Sequence, residues 1–342
     1  MSFKRLNPED FVVSSDSITA GLWSGGEVEL STFFTSSTQE LSSAGKYYLN
    51  VFQTASTEAS AEIQFAITYG NLNGSGSELY DANVDGKSYS STIWGQYRNL
   101  VLGDENANFS FGGSTGTDFW AISIDRNRYK EKLFPGSLTL SLSGSAGIMS
   151  ITDNSQVVNS IEFTDAGRVF QLVSGSAGTV YTGSGTDGVY GYSPSSGSYG
   201  LFLPDIATLV LNPIALSASI ELTTTTGSNS NDNNNRTLFE AISSSVADGG
   251  NAFRLNSQET ISSDYIAIQP RFSEFNYSEN PSFISGSTGE VIYNEFINNP
   301  TTYITTIGLY NDNNELLAVA KMSRPLRKDF TKNASVRVKL DF

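Results

Sequence analysis

The sequence predicts a mainly β protein: a multi-stranded antiparallel body, sandwich-like or barrel-like, with an extended N-terminal arm and one short helix. Three observations predict it. Apolar residues tend to alternate with polar ones, which is the period of a half-buried strand. Gly 31, Tyr 16 and Phe 21 accompany long runs of Ser, Thr and Asn, the composition of short strands joined by tight turns. No segment repeats at a fixed period, which disfavours solenoids and propellers. With 342 residues the chain can form two domains or one large β unit with a real core.

Residues 1–45 read as an arm. Asn7-Pro8-Glu9-Asp10 is a turn, Phe11-Val12-Val13 is a short apolar run, and Leu22-Trp23 stops at Gly25-Gly26. Little here builds a core alone, so Phe11, Val12 and Trp23 are expected to pack on a later domain or a neighbouring subunit. Residues 46–222 form the β-rich body. Tyr47, Leu49 and Val51 alternate with Tyr48, Asn50 and Phe52, and Ile63, Phe65 and Ile67 with Gln64, Ala66 and Thr68. Residues 92–102 are rich in aromatic and apolar side chains. Phe119–Ile124 reads as a buried strand, and Leu138, Leu140 and Leu142 as a strand with one buried face. Further short strands follow at Ile148–Ile151, Val169–Val173 and Thr179–Tyr181.

Residues 223–235 contain no large apolar side chain and are expected to be a mobile loop or linker. Residues 236–342 form a C-terminal α+β part. Thr237 with Glu240 fits a capping box for a helix over about 237–248, with Leu238, Ile242 and Val246 on one face and Gly249-Gly250 at its end. Thr302–Tyr310 and Glu315–Met322 make a hairpin turned by Asn311-Asp312-Asn313-Asn314, and Arg324-Pro325 closes its second strand. Val336, Val338, Leu340 and Phe342 alternate with Arg337, Lys339 and Asp341, a last strand expected in the same sheet.

Composition narrows the chemistry further. The chain has no Cys and no His. Disulfides, thiolate catalysis, Ser-His-Asp triads and histidine metal sites are therefore excluded. Paired carboxylates are still available for glycoside hydrolysis, with Asp118, Asp125, Glu131, Asp153, Asp165, Asp205, Glu274 and Glu295 as conceivable members. Nothing in their spacing selects a pair. The Asn/Asp runs lack the spaced ligands and terminal Glu of an EF-hand and read as turns. The Gly-rich stretches lack the Lys-Ser/Thr pair of a phosphate loop. No cofactor is expected. The N-terminus is basic without a following apolar stretch, and no run approaches a membrane span. Neither a secretory signal nor membrane insertion is expected, and the chain should be made in a cytoplasm.

A net charge of −15 disfavours nucleic acid as the general partner. Two basic clusters stand out against it. Arg126, Arg128, Lys130 and Lys132 could hold an acidic partner or phosphate, or form a solvated turn with Asp125 and Glu131. Lys321, Arg324, Arg327, Lys328, Lys332, Arg337 and Lys339 concentrate seven of the 20 basic residues near the C-terminus. That polarity suits subunit contacts, where opposite charges steer docking and set register; a solvated face and nucleic-acid binding are its competitors. Tyr190, Tyr192 and Tyr199, amid Gly and Ser, could stack on sugars. The contact residues selected are Phe11, Trp23, Arg126, Arg128, Lys321, Arg324, Arg327 and Lys328.

Four segments also carry a resemblance. Thr302–Met322, the opening Phe3–Phe11, Ile93-Trp94-Gly95-Gln96-Tyr97-Arg98-Asn99, and Ile122–Gly136 with Arg-Tyr-Lys-Glu-Lys-Leu-Phe-Pro-Gly at its core resemble a family of virion structural proteins. That family occurs in T4-like contractile-tailed bacteriophages of cyanobacteria and marine bacteria. The resemblance implies a non-enzymatic tail or baseplate subunit, located in the virion and contacting other virion proteins in symmetric multiple copies. Neck or capsid attachment, receptor binding as a tail fibre, and glycan degradation are the alternatives.

Overall fold

The computed structural model describes residues 4–84, 88–181, 197–229, 233–247, 253–277 and 281–341. The protein is mainly β, with strand outweighing helix by 42% to 19%. Its main elements are β1 (Phe11–Gly21), β2 (Leu49–Phe52), β3 (Ile63–Asn71), α1 (Tyr89–Leu102), β4 (Asp118–Ile124), β5 (Leu140–Gly144), β6 (Gly147–Asp153), β7 (Glu162–Thr164), β8 (Gly167–Ser176), β9 (Thr179–Val180), β10 (Gly200–Leu203), β11 (Thr208–Leu211), α2 (Pro213–Ile220), α3 (Asn233–Ala247), β12 (Asn256–Ile268), β13 (Thr301–Tyr310), β14 (Leu316–Asp329) and β15 (Val336–Asp341). They fall into two compact units, Ile18–Glu259 and Met1–Ser17 with Thr260–Phe342.

The larger unit is built on one curled antiparallel sheet, a half-barrel, in the order β2-β3-β4-β11-β10-β8-β6-β5, with β7 and β9 also paired to β8. Its central strands are buried on both faces, and their side chains divide with period two. On β4, Trp120, Ile122 and Ile124 point to one cluster, with Phe65, Phe202 and Leu209 from neighbouring strands. Phe119 and Ala121 point to the other, with Leu201 and Val210. Leu238, Ala241 and Ile242 of α3 cover the first face, and Ile93, Trp94, Tyr97 and Val101 of α1 cover the second. Burying each of the Leu, Ile, Val and Phe side chains among these contributes about 1.5–3 kcal/mol. Gly70 on β3 lets the second layer close, since a Cβ there would lie 2.6 Å from the Phe119 ring.

Helix α1 has no counterpart in the expected secondary structure. It begins where the Ser88 side chain accepts from Ser91 N and ends at Gly103, which takes φ 64°. Helix α3 spans Asn233–Ala247, so Thr237 lies inside it and not at its N-cap. Gly249-Gly250 lie outside the described residues. Of the segment 223–235, expected to be a mobile loop or linker, residues 230–232 lie outside the described residues, and those on either side are tied down. Asn234 Oδ1 accepts from Thr225 N at 2.7 Å, and Asn234 Nδ2 donates to Thr225 O at 3.0 Å and Gly76 O at 3.1 Å. A polar segment can be built in when its polar groups find internal partners.

The divisions 1–45, 46–222, 223–235 and 236–342 differ from the two units. Leu22 and Trp23 belong to the core of the larger unit, together with Leu255 and Phe253. The boundary falls within β1 and within β12. In the smaller unit the sheet order is β1-β12-β15, while β13 and β14, among the described residues, pair only with each other. The last strand is therefore in a different sheet from the hairpin. Six of its residues, Val336 to Asp341, face Ile268 to Ser263 of β12. Alternation told which face of β15 is apolar, but a strand's partner is chosen by the chain around it.

Candidate interaction surface

The hairpin extends further than its sequence suggested. Its turn is organised by Asn311, whose Oδ1 accepts from Asn313 N at 3.0 Å and Glu315 N at 2.8 Å, while Asn314 takes φ 63°. Asn is among the few residues that tolerate this left-handed conformation. Beyond the turn the ladder runs from Tyr310 opposite Leu316 to Thr301 opposite Asp329. Pro325 does not end β14. The register shifts between Ile304 and Thr306, where residues 322–325 bulge out, and a bulge tolerates proline. An isolated two-stranded ribbon is marginal in water. This one also exposes Tyr303, Tyr310, Leu317 and Val319, with Leu317 67% accessible.

The second wall of the surface is β15. Val338 is buried, and Arg337 and Lys339 project on the opposite face. The Arg337 guanidinium lies 4.3 Å and Lys339 Nζ 5.7 Å from the centre of the Tyr265 ring. Lys339 also lies 3.0 Å from Asp341 and 3.8 Å from Asp16. Its hydrogen bond to Asp341 holds the amine above its ordinary value, so it remains a cation throughout the neutral range.

Between hairpin and last strand opens a groove of about 370 Å³, lined by Ile307, Ala320 to Arg324 and Val336 to Lys339. Four of the lining residues are cationic and none is acidic. Lys321 and Arg324 are exposed, and neither makes an ion pair among the described residues. The groove combines apolar methyl groups with uncompensated positive charge. It holds no acid–base pair and suits recognition of an anionic surface or segment.

Of the contact residues selected from sequence, Lys321 and Arg324 meet here. Arg327 is exposed, 3.7 Å from Asp329. Lys328 is only 1% accessible, so it cannot be a contact residue. Its Nζ donates to Phe272 O, Asn276 Oδ1 and Asp329 O at 3.0–3.1 Å, tying β14 to the chain around residue 274. Trp23 is excluded for the same reason. It is 1% accessible, its ring packs on Phe253 and Phe65, and Nε1 donates to the carbonyls of Val28 and Phe253. Phe11 is 44% exposed on β1, beside the more exposed Val12 and Val13.

The first basic cluster is consumed internally. Arg126 donates to the carbonyls of Tyr129 and Lys130 and stacks on Tyr129. Arg128 pairs with Glu62 at 2.7 Å and donates to Ser24 Oγ. Lys130 pairs with Glu259 and Lys132 with Glu131. These are clamps of the larger unit, with little charge left for a partner.

Most of the candidate carboxylates are spent on structure as well. Asp153 is buried and accepts from Gly136 N at 2.8 Å and from Ser155; burial pushes its carboxyl up. Burial does the same to Asp118, which accepts from Tyr69 Oη at 3.2 Å and Thr224 Oγ1 at 3.4 Å. Asp205 grips Arg168 at 2.6 Å; its burial would raise the carboxyl, but the Arg168 hydrogen bonds and charge hold it below the ordinary value. Asp125 accepts from Asn127 N, and Glu274 pairs with Lys4. Asp165 lies in the turn between β7 and β8, and Glu295 opens a four-residue helix. No group of three or more acidic residues among the described ones is placed to hold a metal ion. Tyr190 and Tyr192 lie outside the described residues. Tyr199 is buried and accepts from Ser219 Oγ, so it offers no stacking face.

Arg337 and Lys339 were visible as members of a basic run but not as groove residues. Met322, Val336 and Val338 carried no signal beyond strand alternation. Among known proteins, no family model, curated protein or solved structure matches the chain.

Proposed function

We propose that this chain is a non-enzymatic structural subunit of a contractile-tailed bacteriophage virion, most naturally a tail or baseplate component that assembles with other virion proteins. The observation that carries the reading is the β13–β14 hairpin. Among the described residues it pairs with no other strand, exposes apolar side chains on one side and borders a basic groove on the other. Such a ribbon gains its missing burial from a neighbouring chain. The resemblance of Thr302–Met322 to virion structural proteins lies in this same hairpin.

Mass spectrometry and imaging of gradient-purified particles test the proposal. The chain should be present in stoichiometric amount. A variant with Leu317→Lys and Val319→Lys should fold but fail to be incorporated, because both side chains already face water in the free chain. Particles without the chain, normal incorporation of that variant, or substrate turnover by the purified protein would end the proposal.

A further inference from the structure

We infer that the groove between β14 and β15 binds an extended, acidic polypeptide segment by strand addition. The lining pattern carries this. A strand that turns one face to a groove contributes alternate residues, because successive side chains point to opposite faces. Here Val336 to Lys339 line the groove as an unbroken run, so β15 presents its edge to it, and β15 is the outermost strand of β1-β12-β15. The hairpin forms the facing wall with its face, through the opposed pair Ile307 and Ala320 and the bulged residues that follow Lys321. Unpaired strand edges are templates for an incoming strand unless something blunts them.

The side chains specify what enters. Along β15, Val336 and Val338 alternate with Arg337 and Lys339, and Met322 lies between Lys321 and Arg324 on the facing run. An incoming strand with alternating apolar and acidic residues places methyl groups against the valines and carboxylates against the cations. Lys339 is shared with Asp341 and Asp16, which leaves Lys321, Arg324 and Arg337 as the principal counter-charges. The electrostatic setting agrees. Met1–Ser17 with Thr260–Phe342 holds ten of the 20 basic residues and twelve of the 35 acidic ones, so most of the net negative charge lies on Ile18–Glu259. A free oligoanion such as nucleic acid would satisfy the cations but not the strand edge.

This inference rests on reading the chain as one that assembles with other polypeptides, but its test needs no particle. Fluorescence anisotropy of a labelled ten-residue peptide of alternating Glu and Val, titrated with the purified full chain, reads it directly. Binding should weaken by about tenfold or more between about 50 and about 500 mM salt. It should weaken similarly in Lys321→Glu/Arg324→Glu and in the milder Lys321→Gln/Arg324→Gln, with circular dichroism confirming that each is folded. Arg126→Glu should bind as wild type does. Replacing alternate Val residues of the peptide with Pro removes its edge donors and should cost about tenfold or more. Equal binding of the Pro peptide, equally tight binding of a ten-nucleotide oligothymidylate, or no binding of the Glu–Val peptide to folded wild type would overturn the inference. Peptide binding by a chain missing from particles would refute the virion role and leave the groove assignment standing.

Discussion

Trp23→Ala separates a core residue from a partner-facing one. The wild-type ring is 1% accessible, its centroid lies 4.8 Å from that of Phe253, and its Nε1 donates to Phe253 O at 2.9 Å. Truncating a buried tryptophan to alanine removes about 3–5 kcal/mol, and the loss of the Nε1 hydrogen bonds to Val28 O and Phe253 O adds to it. Trp23→Phe keeps most of the ring, so it should lose only about 1–3 kcal/mol, chiefly through the missing Nε1 hydrogen bonds. The three tryptophans, Trp23, Trp94 and Trp120, all lie within Ile18–Glu259. Their fluorescence therefore reports this unit alone, and two reporters survive the substitution. In urea the midpoint should fall by about 1–2 M for alanine, given a slope of about 2–3 kcal/mol per M. A midpoint within about 0.3 M of wild type would refute the placement of Trp23 in the core, since only an unburied side chain is lost at so little cost.

Lys328→Met keeps the stem and deletes the amine that joins Phe272, Asn276 and Asp329. It should destabilise the smaller unit by about 2 kcal/mol or more, read as faster hydrogen exchange over residues 270–277, while exposed Arg324→Ala changes exchange there very little; unchanged protection in Lys328→Met would contradict the buried anchor. Asp118→Asn tests the buried carboxyl. Because burial raises its folded pKa above the ordinary 3.8, its favourable contribution is full below that value and is lost as pH rises through the raised one. Wild type should therefore lose stability relative to Asp118→Asn across that rise, followed by urea midpoints from pH 3 upward; parallel profiles would refute it.

Particular residues show how far the sequence could be read. The buried strand at Phe119–Ile124 was legible because it is apolar at every position but Ser123, as a strand covered on both faces must be. The hairpin was legible because two alternating runs flank an Asn/Asp turn. Helix α1 was hidden by its composition: Tyr, Ser, Thr, Ile and Trp are strand-favouring or neutral, and the Ser88 cap and Gly103 stop carry the helical signal instead. The 223–235 segment misled because low hydrophobicity marks disorder only when polar groups have no internal partners, and Asn234 has three.

By itself the sequence determined the strand-rich class, the absence of thiol and imidazole chemistry, and the gathering of positive charge near the C-terminus, because composition and alternation are local properties. Only the tertiary structure decided which of those cations remain available. Lys328 is drawn inside by three acceptors, Arg126 and Arg128 are spent on neighbouring groups, and Lys321 and Arg324 stand over a groove walled by a strand of another sheet. Whether a charge is a clamp or a contact depends on what the fold brings within about 4 Å of it, and residues distant in sequence supply those neighbours.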